Sequence, residues 1–194
     1  MNKKKIILIG GGGHCKSCID VIEQTKKFEI IGIIDLAEKV GQAILGYPII
    51  GTDEQTLSFK NKADFFLLTI GQIGLPKRRK NIFEELKKEG CLFATVISPL
   101  AYVSNHADIK EGSIIMHHAI INANAVIGEN CIINTKALVE HDAEIGNNCH
   151  VSTASIINGG VTLGDDSFYG SGAVCKEYLK IKKESFIKAN SIVK

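Results

Sequence analysis

The residues best suited to chemistry stand together at Glu140-His141-Asp142. A histidine flanked by carboxylates suits a general base, because nearby negative charge raises the imidazole pKa and fixes its tautomer. His141 is the candidate base and Asp142 its support. A second grouping is the glycine run Gly10 to Gly13, followed by His14, between an apolar stretch and a helical pattern. Glycines opening a helix leave backbone amides and the helix dipole free to hold a phosphate. Asp35, which closes the next apolar run, can accept a hydrogen bond from a ribose hydroxyl or a base. Together these residues suit a nucleotide.

Other groupings point less far. His14, Cys15 and Cys18 include the C-x-x-C spacing of zinc and redox sites, but no second Cys or His pair follows nearby. His117, His118 and His150 surround His141 in the sequence without a convincing zinc-ligand spacing, so no metal is expected. A cysteine nucleophile is also disfavoured, because Cys131, Cys149 and Cys175 fall on columns of a repeat rather than beside His141.

That repeat is what must position His141. From Ile97 to Cys175 an apolar residue recurs every six residues at fourteen positions, through Ile133, Val139, Ile145 and Val151. Four residues after each comes a second column of mostly small residues, such as Ala137, Ala143 and Cys149. Helical spacings of three and four do not fit a strict six. A left-handed parallel β-helix explains both columns: the aliphatic residue fills a triangular prism, the small one sits at its corner, and stacked coils bury one continuous core.

The glycine run is positioned by an α/β, Rossmann-like unit. Lys5 to Ile9 reads as a buried strand, Ser17 to Lys26 as a helix, and Phe28 to Ile34 as a second strand ending at Asp35. Tyr47 to Gly51 reads as a short edge strand and Phe65 to Ile70 as a parallel strand ending at Gly71. Pro76 opens a helix over Lys77 to Lys88, with Arg78 and Arg79 expected on its exposed face. A G-x-G-x-x-G reading places Cys15 where the third glycine belongs, and the domain is about half the size of a full dinucleotide fold. A mononucleotide or nucleotide-sugar site is therefore expected in preference to NAD. Two domains follow, 1–90 and 91–194.

Composition sets the outer limits. The 194 residues are 45% hydrophobic, enough for a real core, and carry a formal charge of only +2. Binding to nucleic acid or to a membrane surface is not expected. The apolar run Ile6 to Ile9 is too short for a signal peptide or a membrane span. A cytoplasmic protein with reduced cysteines is expected.

The hexapeptide repeats with Ile133-Asn134-Thr135, Val139-Glu140-His141-Asp142, Ile145-Gly146 and His150-Val151-Ser152, preceded by the GGGGH turn, resemble the sialic acid O-acetyltransferase (NeuD) family and its PglD-like sugar N-acetyltransferase relatives. The resemblance spans both domains in order. It implies an acetyl-CoA-dependent transferase acting on a nucleotide-linked amino sugar for bacterial glycan synthesis. O-acetylation of a sialic acid, or nucleotide-sugar binding without catalysis, are the alternatives. His141 matches the family's base, Asp142 its carboxylate partner, and Asn134 an asparagine near that base. His150, Gly159, Ser171 and Ala189 match the acetyl-CoA contacts, and Gly12, Gly13, His14, Asp35 and Gly71 the nucleotide-sugar pocket. A homotrimer with active sites between neighbouring coils is also implied. The last coils depart from the pattern: they are rich in lysine, at Lys180, Lys182, Lys183 and Lys188, and Ala189 stands where relatives generally have glycine.

Overall fold

The computed structural model describes residues 3–194. It divides into two compact units, one running to Gly71 and resuming over Asn81–Ala94, the other formed by Gln72–Lys80 and Thr95–Lys194.

The first unit is a five-stranded sheet. Its strands are β1 (Lys4–Ile9), β2 (Phe28–Ile34), β3 (Ala43–Ile44), β4 (Tyr47–Gly51) and β5 (Phe65–Leu68), in the order β3-β4-β2-β1-β5. All pairings are parallel except that of β3 with β4. Ile6 to Ile9 on the central strand are fully buried, the continuous apolar run of a strand covered on both faces. β4 is not the edge: Leu45 and Gly46 both take positive φ (48° and 87°), and this two-residue turn folds β3 back along its outer side.

Helix α1 (Gly13–Thr25) starts four residues earlier than its apolar pattern suggests, because extended Gly12 serves as its N-cap directly after the strand. It buries Cys15, Cys18, Ile19 and Ile22, one stripe at helical spacing. Helix α2 (Lys77–Lys88) follows Pro76 as expected.

The second unit is the β-helix. Seventeen two-residue strands recur every six residues from Val96–Ile97 to Ile192–Val193, so the repeat runs through Ile181, Ile187 and Val193 beyond its legible part. Each strand pairs in parallel with the one eighteen residues on, as in Ile120↔Leu138 and Ile121↔Val139, and three sheets of six, five and six strands form the sides of the left-handed prism. Ile115, Ile121, Ile127, Ile133, Val139 and Val151 fill it and are fully buried. Each such side chain contributes roughly 1.5–3 kcal/mol of hydrophobic stabilisation.

The corners carry a rule of their own. From Gly112 to Asn190, every sixth residue has φ between 54° and 73°. A non-glycine residue pays roughly 1–2 kcal/mol for that conformation, least for Asn and Asp, and Asn124, Asn130, Asp142, Asn148 and Asp166 are among these residues. At one corner they stack into a ladder: Asn130 Nδ2 donates to Asn148 Oδ1 at 2.8 Å, and Asn148 Nδ2 to Asp166 Oδ1 at 3.0 Å.

The three outer faces differ. One presents Tyr102, Ile120, Leu138, Ile156, Val174 and Ile192, an apolar column with Tyr102, Ile120 and Ile192 exposed. The next is mostly polar, with Asp108, Glu144, Thr162 and Lys180. On the third, the outward residues Val96, Ile114, Ile132, His150 and Phe168 are buried. Segment Gln72–Lys80 lies against this unit. Arg78 is exposed as expected, but Arg79 is only 2% exposed, because its guanidinium reaches the Asn130 carbonyl (3.4 Å). Its neighbour Lys80 pairs with Asp166 at 2.7 Å.

Candidate active site

His141 sits two residues after a strand of the apolar face, and Asp142 occupies the adjoining corner. The left-handed conformation of Asp142 (φ 59°) turns its carboxylate back so that Oδ2 lies 2.8 Å from His141 Nδ1. Asn124, one coil earlier at the same corner, donates to Asp142 Oδ1 at 2.7 Å. These bonds hold the Asp142 pKa below the usual carboxylate range, Asn124 contributing most and His141 next. The hydrogen bond to Asp142 raises the His141 pKa, with the charges of Asp142 and Glu140 adding to it. An ionised carboxylate accepts only, so neutral His141 carries its proton on Nδ1 and offers Nε2 as a base. The side chain is 55% exposed, open to an incoming acceptor.

Gly159 and Gly160, on the following coil, close against this ring. A methyl group on Gly159 would lie 2.7 Å from His141 Cε1 and 2.8 Å from Nε2, so any side chain there would push the ring out of this position. The Gly160 amide donates to the His141 carbonyl at 2.9 Å. Among the described residues none accepts a hydrogen bond from the Gly159 amide. An N–H left available beside a base is the donor an oxyanion requires.

His150 is built differently. It is 7% exposed; its Nδ1 donates to the Gln72 carbonyl at 2.7 Å, and its Nε2 accepts from Asn134 Nδ2 at 3.0 Å. Asn134 Oδ1 is taken in turn by the Thr135 amide. Burial lowers the His150 pKa to about 4, against the raising effect of the Gln72 carbonyl, so the ring is neutral at physiological pH. The Phe168 ring packs edge-on against it. Asn134 thus bonds to His150 rather than to His141. Ser171 and Ala189 are exposed; Ser171 shares a hydroxyl bond with Ser152 at 2.9 Å.

In the first unit the glycine turn has the expected form. Gly12 and Gly13 meet nothing within 4 Å of where a side chain would begin, leaving the opening of α1 accessible. Gly11 is a close approach instead: a methyl there would lie 2.5 Å from Asp35 Oδ2. Asp35 accepts from the Leu36 amide and from Lys39 Nζ, each at 2.9 Å. Burial pushes its pKa up, but the Lys39 ammonium with the Leu36 and Gly11 amides prevails and holds it below the carboxylate range. Gly71 faces His14 Cβ, and His14 Nε2 meets the buried Cys18 thiol at 3.3 Å. Among the described residues no three His, Cys, Asp or Glu side chains gather as a metal requires.

Comparison with known proteins sets the chain in a family. Residues 5–86 match the family model of the PglD N-terminal domain. Over both units the chain is similar to perosamine N-acetyltransferase from Caulobacter crescentus in complex with CoA and GDP-perosamine, with 30% identity, a TM-score of 0.91, and coverage of 98% of this chain and 88% of that one. The chain belongs to the PglD-like family of sugar N-acetyltransferases. A second member of the family, the acetyltransferase domain of PglB from Neisseria gonorrhoeae, matches with 26% identity and a TM-score of 0.89, covering 99% of this chain and 92% of that one. That domain is also known in complex with acetyl coenzyme A. WeeI from Acinetobacter baumannii shares the fold, with 24% identity and a TM-score of 0.82 over 98% of this chain and 92% of that one. No curated protein matches.

Within this PglD-like chain the structure brings His141, Asp142 and Gly159 together, and places Asn134 with His150. Three neighbours of these residues are not evident from the sequence: Asn124 behind Asp142, the Gln72 carbonyl behind His150, and Tyr178, whose ring lies over Gly160. Asn124 and Tyr178 each lie a whole number of coils from their partners, so a register of eighteen residues finds them. Gln72 lies outside the repeat and gives no such signal.

Proposed function

We propose that this protein transfers the acetyl group of acetyl-CoA to the amine of a nucleotide-activated amino sugar, with His141 as general base. The observation that carries the reading is the Asp142–His141–Gly159 arrangement: a ring with a free basic nitrogen beside an uncommitted backbone amide. As the acceptor nitrogen attacks the thioester carbonyl, Nε2 takes its proton, while the Gly159 amide bonds the oxygen on which negative charge develops. The tetrahedral intermediate then expels the CoA thiolate, and no covalent enzyme intermediate is needed.

His150 and Asn134 support the donor side as a fixed pair, and Ser171 and Ala189 lie along the path of the donor. Gly12, Gly13, His14, Asp35 and Gly71 bind the nucleotide sugar, its phosphates against the open amides of α1. The Caulobacter enzyme is known in complex with CoA and GDP-perosamine, which supports an acetyl-CoA donor and a nucleotide-sugar acceptor. Two domains, 1–90 and 91–194, divide the work between acceptor binding and acyl transfer.

A homotrimer completes the site in this reading. The exposed apolar column from Tyr102 to Ile192 needs cover, and His141 stands at its rim, so a neighbouring coil stacked there would enclose the base. The acetyl donor and six free cysteines suit a cytoplasmic enzyme.

The test is acetyl-CoA consumption with a panel of UDP- and GDP-linked amino sugars, the product bond identified by NMR. An amide product is expected, with turnover falling roughly 10²–10⁴-fold in His141→Ala. An ester product, or unchanged turnover in that variant, overturns the reading.

A further inference from the structure

The corner that carries Asp142 continues through Gly160 to Tyr178, and Tyr178 does not suit its position. It has φ +56°, a left-handed conformation that is a genuine outlier for a bulky side chain. The residue is also 73% exposed. Neither choice stabilises the fold. An asparagine or glycine satisfies the same corner on earlier coils, at Asn124 and Gly160. Backbone strain of this kind gathers at functional sites.

What the ring covers is specific. A methyl on Gly160 would lie 2.4 and 2.5 Å from Tyr178 Cδ1 and Cε1, so the ring rests on the bare face of that glycine. The Tyr178 amide donates to the Gly159 carbonyl at 2.9 Å. The adjacent glycines are therefore held between two rings, His141 over Gly159 and Tyr178 over Gly160. A thioester on the Gly159 amide has two ways to continue. Toward Asp142 and Asn124 the surface is polar, its groups bonded to each other; toward Tyr178 it is aromatic and apolar.

We infer that Tyr178 is a donor-binding residue, its ring the wall against which the methylenes and amides of the pantetheine arm of acetyl-CoA pack next to the thioester. This rests on the acetyl-transfer reading above and adds a residue to it.

Tyr178→Gly separates the two roles, because it removes the ring and relieves the left-handed strain together. The variant should melt at a higher temperature than the native protein and yet bind acetyl-CoA roughly tenfold more weakly by calorimetry, the effect of losing one aromatic contact. KM for acetyl-CoA should rise in parallel while KM for the nucleotide sugar stays unchanged. Tyr178→Phe should retain native affinity, and Tyr178→Asn should match the glycine variant. Unchanged donor affinity in Tyr178→Gly, a shift confined to the nucleotide sugar, or a change in oligomeric mass with donor affinity intact would each overturn the inference and leave the acetyl-transfer reading standing. If the native protein binds no acetyl-CoA, both fall.

Discussion

His141 and His150 lie half a coil apart, and the prism holds their imidazoles in opposite ways. The corner exposes His141, gives its Nδ1 to a carboxylate and leaves Nε2 bare; the covered face buries His150, gives its Nδ1 to a carbonyl and fills Nε2 with an amide. One pKa rises and the other falls to about 4. The ring is the same, but its second nitrogen is not. A histidine can act as a base only where that nitrogen is left to the substrate, and the identity of the Nδ1 partner then decides the pH at which it acts.

The contrast breaks most completely at Gly159. Gly159→Ala should lower kcat about a hundredfold or more, because the new methyl must displace the His141 ring and small misplacements of catalytic groups are that costly. Gly159 is not in the left-handed region, so the melting temperature should hold. A drop in stability with the rate preserved would show that the glycine serves packing alone.

The buried ring is tested by acid. Folding favours neutral His150, with its pKa lowered from 6.5 to about 4, so its contribution is complete above pH 6.5 and is lost as the pH falls toward 4. Urea denaturation should record a loss on the order of 3 kcal/mol across that window. His150→Phe should be less stable at pH 7, since the Gln72 carbonyl and the Asn134 amide lose their partner, and should flatten the dependence on pH. A native-like slope in this variant would assign the acid sensitivity to another group.

The smallest effect belongs to Asp142→Asn. Protonated His141 cannot accept a proton, so the rate rises with pH through its pKa, which Asp142 holds above 6.5. Without the carboxylate the acidic limb of the kcat profile should move down toward 6.5, with a smaller rate loss than in Gly159→Ala. A limb that stays in place would mean that Asp142 orients the ring without tuning it.

How much of this was legible differs between the units. The prism could be read because its interior obeys one rule, an aliphatic residue every six positions, and no insertion disturbs the phase. The rule fades at Lys180 and beyond, where charged residues crowd the outer surface, although Ile181, Ile187 and Val193 keep the interior count. A second rule went unread: the left-handed corners favour Asn, Asp and Gly, and that column fixes the geometry of Asp142. In the first unit the long strands were legible from their apolar runs, but β3 was not, because two residues carry no period. Burial of Arg79 and the partner of His150 depend on contacts more than fifty residues away in sequence, Arg79 with Asn130 and Gln72 with His150, and no local pattern encodes them.

The eighteen-residue register also governs how such a molecule can change length. Inserting one whole coil would return each Asn130-type side chain to a neighbour of its own kind and keep every rung bonded. An insertion of six or twelve residues would keep corners over corners but give each ladder residue a partner from another column, and any increment that is not a multiple of six would set corners against sides. Growth of this prism is therefore quantised: it tolerates duplication of a complete turn far better than the gain or loss of a single residue.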